Sequence, residues 1–191
     1  MNLPNQLTLL RIALSFVVIF FLMMPGLWPK AAALAAFALA SLTDWWDGRL
    51  ARNRGIVTDF GVLMDPIADK ILVLSAFCAF VQLHIAPAWM VVAIAAREFI
   101  VTGLRLFALG KGQVLPAEAA GKHKTVSQIV AISVTLVVLI LRELALLGAG
   151  RAEWVAWGER GIWWLMLLTV VLTLTSGISF LWRHRKIIIN L

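Results

Sequence analysis

Apolar stretches close to the ~20 residues needed to cross a bilayer recur along the whole chain, with only short polar breaks between them. Hydrocarbon offers no partner to a backbone N–H or C=O group, so only helices and closed barrels can span it. The runs are continuous and lack the two-residue alternation of barrel strands, which leaves an all-α, polytopic membrane protein. Six transmembrane helices are expected, over 7–28, 31–53, 60–83, 86–109, 122–142 and 160–182. Pro25, Gly26 and Pro29 punctuate the first break, Pro87 opens the fourth span, Gly110 and Gly112 close it, and a polar, glycine-containing stretch from Gly148 to Gly161 precedes the sixth. Residues are 62% hydrophobic and only 14% charged, against roughly half and about a quarter in soluble domains, so one membrane domain over 1–191 is the economical organisation.

The first apolar run, with Arg11 before it and Ala31 to Ala33 after it, could imitate a secretory signal. It is expected instead to be retained as the first span.

The formal net charge is +7. The basic residues are dispersed along the ends of apolar segments, so anionic lipid or an anionic substrate is expected rather than nucleic acid. Lysine and arginine favour the cytoplasmic ends of spans. One side collects Arg11, Arg49, Arg52, Arg54, Lys111, Lys122, Lys124, Arg183, Arg185 and Lys186, the other only Lys30, Arg142, Arg151 and Arg160. Both termini and the 53–60 loop are therefore expected in the cytoplasm, as in a multi-pass protein of the inner (cytoplasmic) membrane. Tryptophans Trp28, Trp89, Trp154, Trp157, Trp163 and Trp164 fall near the opposite ends, where amphipathic rings anchor in the interface. The Arg183 to Lys186 cluster reads as a basic anchor to anionic headgroups.

Every aspartate of the chain lies between Asp44 and Lys70: Asp44, Asp47, Asp59, Asp65 and Asp69. With spans two and three taken as an antiparallel pair joined near Ile56 and Val57, Asp44 falls opposite Asp69 and Asp47 close to opposite Asp65. Four carboxylates then share one layer, on the order of 10 Å inside the cytoplasmic end at ~1.5 Å per helical residue. A carboxylate at membrane depth costs a few kcal/mol, so such groups face a cavity, pair with each other or bind something. Four together call for cations, and two divalent ions with oxygen ligands, Mg²⁺ or Mn²⁺, are the direct answer. The alternative is a set of structural salt bridges to Arg49, Arg52, Arg54 and Lys70. Asp59, at the loop, is expected to cap the third helix. Gly48 and Gly61 leave backbone open where a ligand can approach, although close helix packing explains glycine there as well. Pro66 is expected to kink the third helix at Asp65 or to mark its start.

These residues resemble the pattern of the CDP-alcohol phosphotransferase family, D-x2-D-G-x2-A-R-x8-G-x3-D-x3-D, here Asp44, Asp47, Gly48, Ala51, Arg52, Gly61, Asp65 and Asp69 with every spacing kept. The resemblance implies a six-helix layout with a cytoplasm-facing polar active-site cavity. It also implies transfer of a substituted phosphate from a CDP-linked donor to an alcohol, with release of CMP. Asp44, Asp47, Asp65 and Asp69 would be the metal ligands, with Asp69 also the catalytic base. Asp44, Asp47, Gly48, Ala51, Arg52 and Gly61 would bind the donor, CDP-diacylglycerol, and a homodimer is implied as well.

The acceptor is read from the polar residues that remain. Arg97, Glu98 and Arg105 lie in span four, and Gly121-Lys122-His123-Lys124-Thr125 opens span five. Arg97, Arg105, Lys122 and Lys124 converge at one depth and suggest a second anion, the phosphate of a phosphorylated acceptor. A purely structural Arg97–Glu98 pair beside ordinary cytoplasmic lysines is the alternative. Asn2-Leu3-Pro4-Asn5, Leu7-Thr8-Leu9-Leu10-Arg11, Leu63-Met64-Asp65-Pro66-Ile67-Ala68-Asp69-Lys70, Ala96-Arg97-Glu98 and Leu104-Arg105 resemble the branch that uses glycerol 3-phosphate. A cation transporter is a different class of answer, but it needs a polar path through both leaflets. The outer halves of spans two and three carry no acidic residue. Beyond Leu141 no functional motif is evident.

Overall fold

A computed structural model describes the backbone of residues 3–54, 59–113, 115, 119–149 and 151–189, and the side chains of 6–43, 64, 66–113, 115, 123–149, 151 and 153–185. Six helices follow one another: α1 Leu3–Met23, α2 Leu27–Arg54, α3 Asp59–Gln82, α4 Ala88–Gly110, α5 Ala119–Leu146 and α6 Ala152–Ile189. No strand occurs among the described residues.

The helix ends have local causes. α1 stops at Met23, earlier than the expected 28, because Pro25 and a left-handed Gly26 (φ 102°) turn the chain. Three helices end in the same way, with the residue after the cap in the left-handed region and two backbone bonds folding back on the last turn. At α3, His84 (φ 57°) takes that position, with Ile85 N–H donating to the Phe80 carbonyl at 2.9 Å. Gly112 after α4 and Gly148 after α5 do the same with φ of 73° and 76°.

Two expectations are corrected. α6 spans 38 residues and takes in Gly158 and Gly161, which the sequence places in a polar connection. Gly158 is there for packing, since a Cβ would meet Val138 of α5 at 2.8 Å. Pro66 does not start a helix: α3 already runs from Asp59 and carries the proline inside it.

Large apolar side chains point outward all around the bundle, among them Phe16, Phe20, Trp28, Leu39, Trp89, Val92, Phe99, Ile178 and Trp182. Polar side chains are buried, including Thr8, Arg11, Ser15, Arg97, Glu98, Lys124, Gln128, Thr169, Thr173 and Ser176. That inversion suits hydrocarbon, where an apolar exterior costs nothing and polar groups must find partners inside. By length and composition three segments are fit to cross a membrane, Gln6–Met23, His123–Leu146 and Glu153–Arg185, with Leu27–Thr43 a shorter apolar helix. α4 carries Arg97, Glu98 and Arg105 within its length, and α3 carries Asp69 and Lys70, which is why neither reads as purely apolar. On α6, Arg160 stacks over Trp157 at one end and Arg185 over Trp182 at the other. The rise between those two rings is ~38 Å, close to the ~40–45 Å of a bilayer with its headgroups.

Among the described residues α1 packs extensively against both α2 and α3, whereas α2 meets α3 only slightly. α1 is thus a wedge beside the pair that the sequence put side by side. The main core joins Val18, Leu22, Phe37, Phe77, Phe80, Met90, Ile94, Ile132, Leu136 and Met166, and a smaller one joins Val101, Ala108, Leu115 and Phe180. Along α4, Arg97 and Glu98 fall between Ile94 of the first and Val101 of the second. The buried charges are therefore sealed by apolar packing above and below.

Candidate functional site

Thr8, Arg11 and Ser15 recur at helical spacing on α1 and are all about 1% exposed, so one face of this apolar helix is polar and turned inward. Arg11 reaches from that face to α3 and donates through Nη1 to Asp69 Oδ1. Ser15 Oγ donates to the Arg11 carbonyl at 2.8 Å. Arg11, which the sequence placed among the basic residues of the cytoplasmic side, is thus buried and pairs with Asp69. Arg11 was not among the residues offered for structural pairing, and of those the side chains of Arg49, Arg52 and Arg54 lie outside the described residues. The Asp69 side chain stays 46% exposed, so its carboxylate is held and yet reachable.

Next along α3, Lys70 donates to the Pro66 carbonyl at 2.8 Å. It lies within electrostatic reach of Asp69, Glu98, Arg97 and Arg105. The candidate base and the candidate acceptor cations thus share one neighbourhood.

Glu98 is the hub on the α4 side. Its Oε1 accepts from Lys124 Nζ and, at 3.2 Å, from Gln128 Nε2, both on α5 and one turn apart. Arg97 Nη1 stands 3.5 Å from the same oxygen. Arg97 Nη2 donates at 2.9 Å to Ser176 Oγ of α6. Beside Ser176, Gly177 leaves the space that the Arg97 stem fills. Farther along α4, the Arg105 guanidinium stacks over Phe180 at 5.2 Å. That ring in turn packs against His184 at 4.5 Å.

The sequence offered Arg97 either anion binding or a structural pair with Glu98, and Lys124 either anion binding or the place of an ordinary cytoplasmic lysine; the structure shows both beside the Glu98 carboxylate. Arg11, Lys70, Arg97, Arg105 and Lys124 thus lie in one region with Asp69 and Glu98.

The side chains of Asp44, Asp47, Gly48, Ala51, Arg52, Gly61, Asp65 and Lys122 lie outside the described residues, as does that of Asp59. Their helices are described. Asp44 and Asp47 are three apart on α2, and Asp65 and Asp69 four apart on α3, spacings that keep each pair on one helical face. A donor set of four carboxylates has the chemistry of a hard divalent-ion site, and the exposed part of Asp69 is open to such an ion. Among the described residues no cluster of three or more metal-binding side chains occurs.

Sequence reasoning missed Gln128, Ser176, Gly177 and Phe180, and it named Arg11 without giving it a partner. A signal for the α6 residues existed. Thr169, Thr173 and Ser176 repeat at helical spacing in an otherwise apolar helix, and all are buried.

The chain matches the CDP-alcohol phosphatidyltransferase family over residues 1–175. It is 44% identical over 168 residues to the CDP-diacylglycerol–glycerol-3-phosphate 3-phosphatidyltransferase of Bacillus subtilis, covering 81% of this chain and 87% of that one. A protein of the same name from Pseudomonas fluorescens is 34% identical over 195 residues, with 97% and 93% covered. Its namesake from Escherichia coli K12 is 40% identical over 139 residues, with 69% and 75% covered.

Proposed function

The chain belongs to the CDP-alcohol phosphatidyltransferase family, and from that premise we propose that it transfers the phosphatidyl group of CDP-diacylglycerol to glycerol 3-phosphate, yielding phosphatidylglycerol phosphate and CMP. The relatives' names supply the reaction. The observation that carries it to this chain is the adjacency of Asp69 to a cluster of arginine and lysine side chains. A phosphorylated alcohol bound by that cluster brings its hydroxyl toward the carboxylate.

In this reading Arg97, Arg105, Lys122 and Lys124 bind the acceptor phosphate. Arg11 holds the Asp69 carboxylate toward the acceptor's primary hydroxyl. Asp69 takes the hydroxyl proton as the oxygen bonds to the phosphorus that carries diacylglycerol, and the bond from that phosphorus to CMP breaks, its electron pair leaving with CMP. Gly48, Ala51, Arg52 and Gly61 line the donor site together with Asp44 and Asp47. Two divalent ions, Mg²⁺ or Mn²⁺, held by Asp44, Asp47, Asp65 and Asp69, would neutralise the diphosphate and the charge on the departing CMP. All six helices span the inner membrane as one domain over 1–191, with both termini and the cavity facing the cytoplasm. The chain works as a homodimer in the same reading. Diacylglycerol tails then remain in the leaflet while the diphosphate sits at the aspartate layer.

The test is CMP release by purified protein in detergent with CDP-diacylglycerol and Mg²⁺, comparing no acceptor, glycerol 3-phosphate, phosphatidylglycerol and inositol phosphate. Release that requires glycerol 3-phosphate and stops with EDTA is the expected result. Release supported by another alcohol instead would replace the acceptor and leave the family chemistry standing.

A further inference from the structure

The sixth helix carries no motif of the family pattern, yet its middle shapes the cationic cluster. Arg97 is buried and crosses from α4 to α6, where Ser176 Oγ accepts from its Nη2 at 2.9 Å. A Cβ built on Gly177 would lie 2.7 Å from Arg97 Cγ, 3.4 Å from Nε and 3.6 Å from Cδ. The contact at Cγ is with the root of the side chain, so an added methyl cannot be met by moving only the guanidinium tip. Gly161 of α6 and Gly103 of α4, by contrast, face open space, and Gly158 of α6 makes room for the apolar Val138.

We propose that Ser176 and Gly177 form a mould on α6 that sets the direction of the Arg97 guanidinium, and that this mould, together with Glu98 holding Lys124, determines how tightly a phosphate-bearing acceptor is bound. The inference rests on the acceptor reading above and adds to it two positioning residues outside the family pattern. Glu98 serves the same end from the other side. Its single oxygen gathers Lys124, Gln128 and Arg97, so the spacing of the two cations follows from one carboxylate. Neither Ser176 nor Gly177 needs to touch substrate.

The experiment compares the parent protein with Gly177→Ala, Gly161→Ala, Ser176→Ala and Ser176→Thr. It reads KM for glycerol 3-phosphate, KM for CDP-diacylglycerol, kcat, and inorganic phosphate binding by calorimetry. Gly177→Ala is expected to raise the acceptor KM on the order of tenfold, as loss of a well-placed hydrogen bond to a charged group does. It should weaken phosphate binding in parallel, with donor KM and kcat near parental values. Gly161→Ala is expected to change none of these. Should Gly177→Ala fail to accumulate as folded protein, Ser176→Ala decides. It adds no bulk, and its acceptor KM should rise while Ser176→Thr, which keeps the hydroxyl, restores it. Parental acceptor KM and phosphate affinity in folded Gly177→Ala or Ser176→Ala would overturn the mould, as would a parent protein that binds no phosphate. A parent that binds phosphate but does not consume glycerol 3-phosphate would overturn the acceptor reading alone, because the effect of Gly177→Ala on phosphate affinity is still read directly.

Discussion

Lys30 and Lys124 are both buried lysines in a membrane bundle, and they are held in opposite ways. At the end of the bundle away from Asp69, Lys30 donates to two carbonyls at the close of α1, Leu22 O at 2.5 Å and Met24 O at 2.8 Å. Those carbonyls are the ones a helix C-terminus leaves without intrahelical partners, and they carry the negative end of its dipole. The lysine and the helix end therefore complete each other. Lys124 instead shares Glu98 with Arg97 and Gln128, in a neighbourhood where Lys70 and Arg105 add further positive charge. The two ends show two ways of holding a buried cation: the first is met by backbone carbonyls of its own fold, the second by a carboxylate that it shares with other side chains.

The largest effect expected at the site end falls on Asp69, a carboxylate that is both held and reachable. Asp69→Asn keeps the shape and the contact to Arg11 but cannot take a proton. A positioned general base contributes ~10²–10⁴-fold, so CMP release should fall by about that factor. Retention of radiolabelled CDP-diacylglycerol by the same variant should persist. An Asp69→Asn protein that turns over normally would remove Asp69 from the role of base.

The two lysines can be set directly against each other by making the same change at each. Lys124→Met removes one donor to the acceptor phosphate and should raise the glycerol 3-phosphate KM about 10- to 100-fold, the range for a lost charge-assisted hydrogen bond, with a smaller change in donor KM. Lys30→Met should leave both KM values alone and cost stability, about 1–3 kcal/mol for carbonyls left without their donor. For a chain of this size that is a drop of a few degrees in Tm, measured by thermal unfolding in detergent. If Lys30→Met altered acceptor KM as strongly as Lys124→Met, the distinction between the two ends would collapse.

The same contrast shows what could be read in the chain before its fold was known. The six helices were legible because apolar runs of bilayer length admit almost no other structure, and their ends strayed most where Gly158 and Gly161 lie inside α6 and where α1 stops at Met23. Asp69, Arg97, Arg105 and Lys124 were legible because charge in an apolar run is costly and so stands out. Arg11 was visible as a basic residue near the start of a span, but its pairing with Asp69 was not, since that follows from the inward face it shares with Thr8 and Ser15. Ser176 and Gly177 were not legible as site residues. Their role depends on which helix lies against α6, and one chain read without its packing does not say that Arg97 crosses to meet them. The aspartate layer read from Asp44, Asp47 and Asp65 remains part of the proposal, because those side chains lie outside the described residues.

The smallest effect sharpens the comparison by separating charge from dipole. Screening shortens from about 10 Å at 0.1 M salt to about 3 Å at 1 M. An acceptor drawn by the arginine and lysine side chains of the site end feels that change on its way in. The glycerol 3-phosphate KM of the parent should rise by a few-fold across this range when the salt has a bulky, weakly binding anion. Lys30 meets its carbonyls in direct contact and is nearly sealed from solvent at 5% exposure. The Tm deficit of Lys30→Met should therefore be the same at both salt concentrations. A salt-dependent deficit would mean that Lys30 acts through long-range charge, with Arg142 and Glu143 beside it in the cavity of about 270 Å³ at that end. A salt-independent acceptor KM would mean that the site-end cations are already neutralised by groups other than the acceptor.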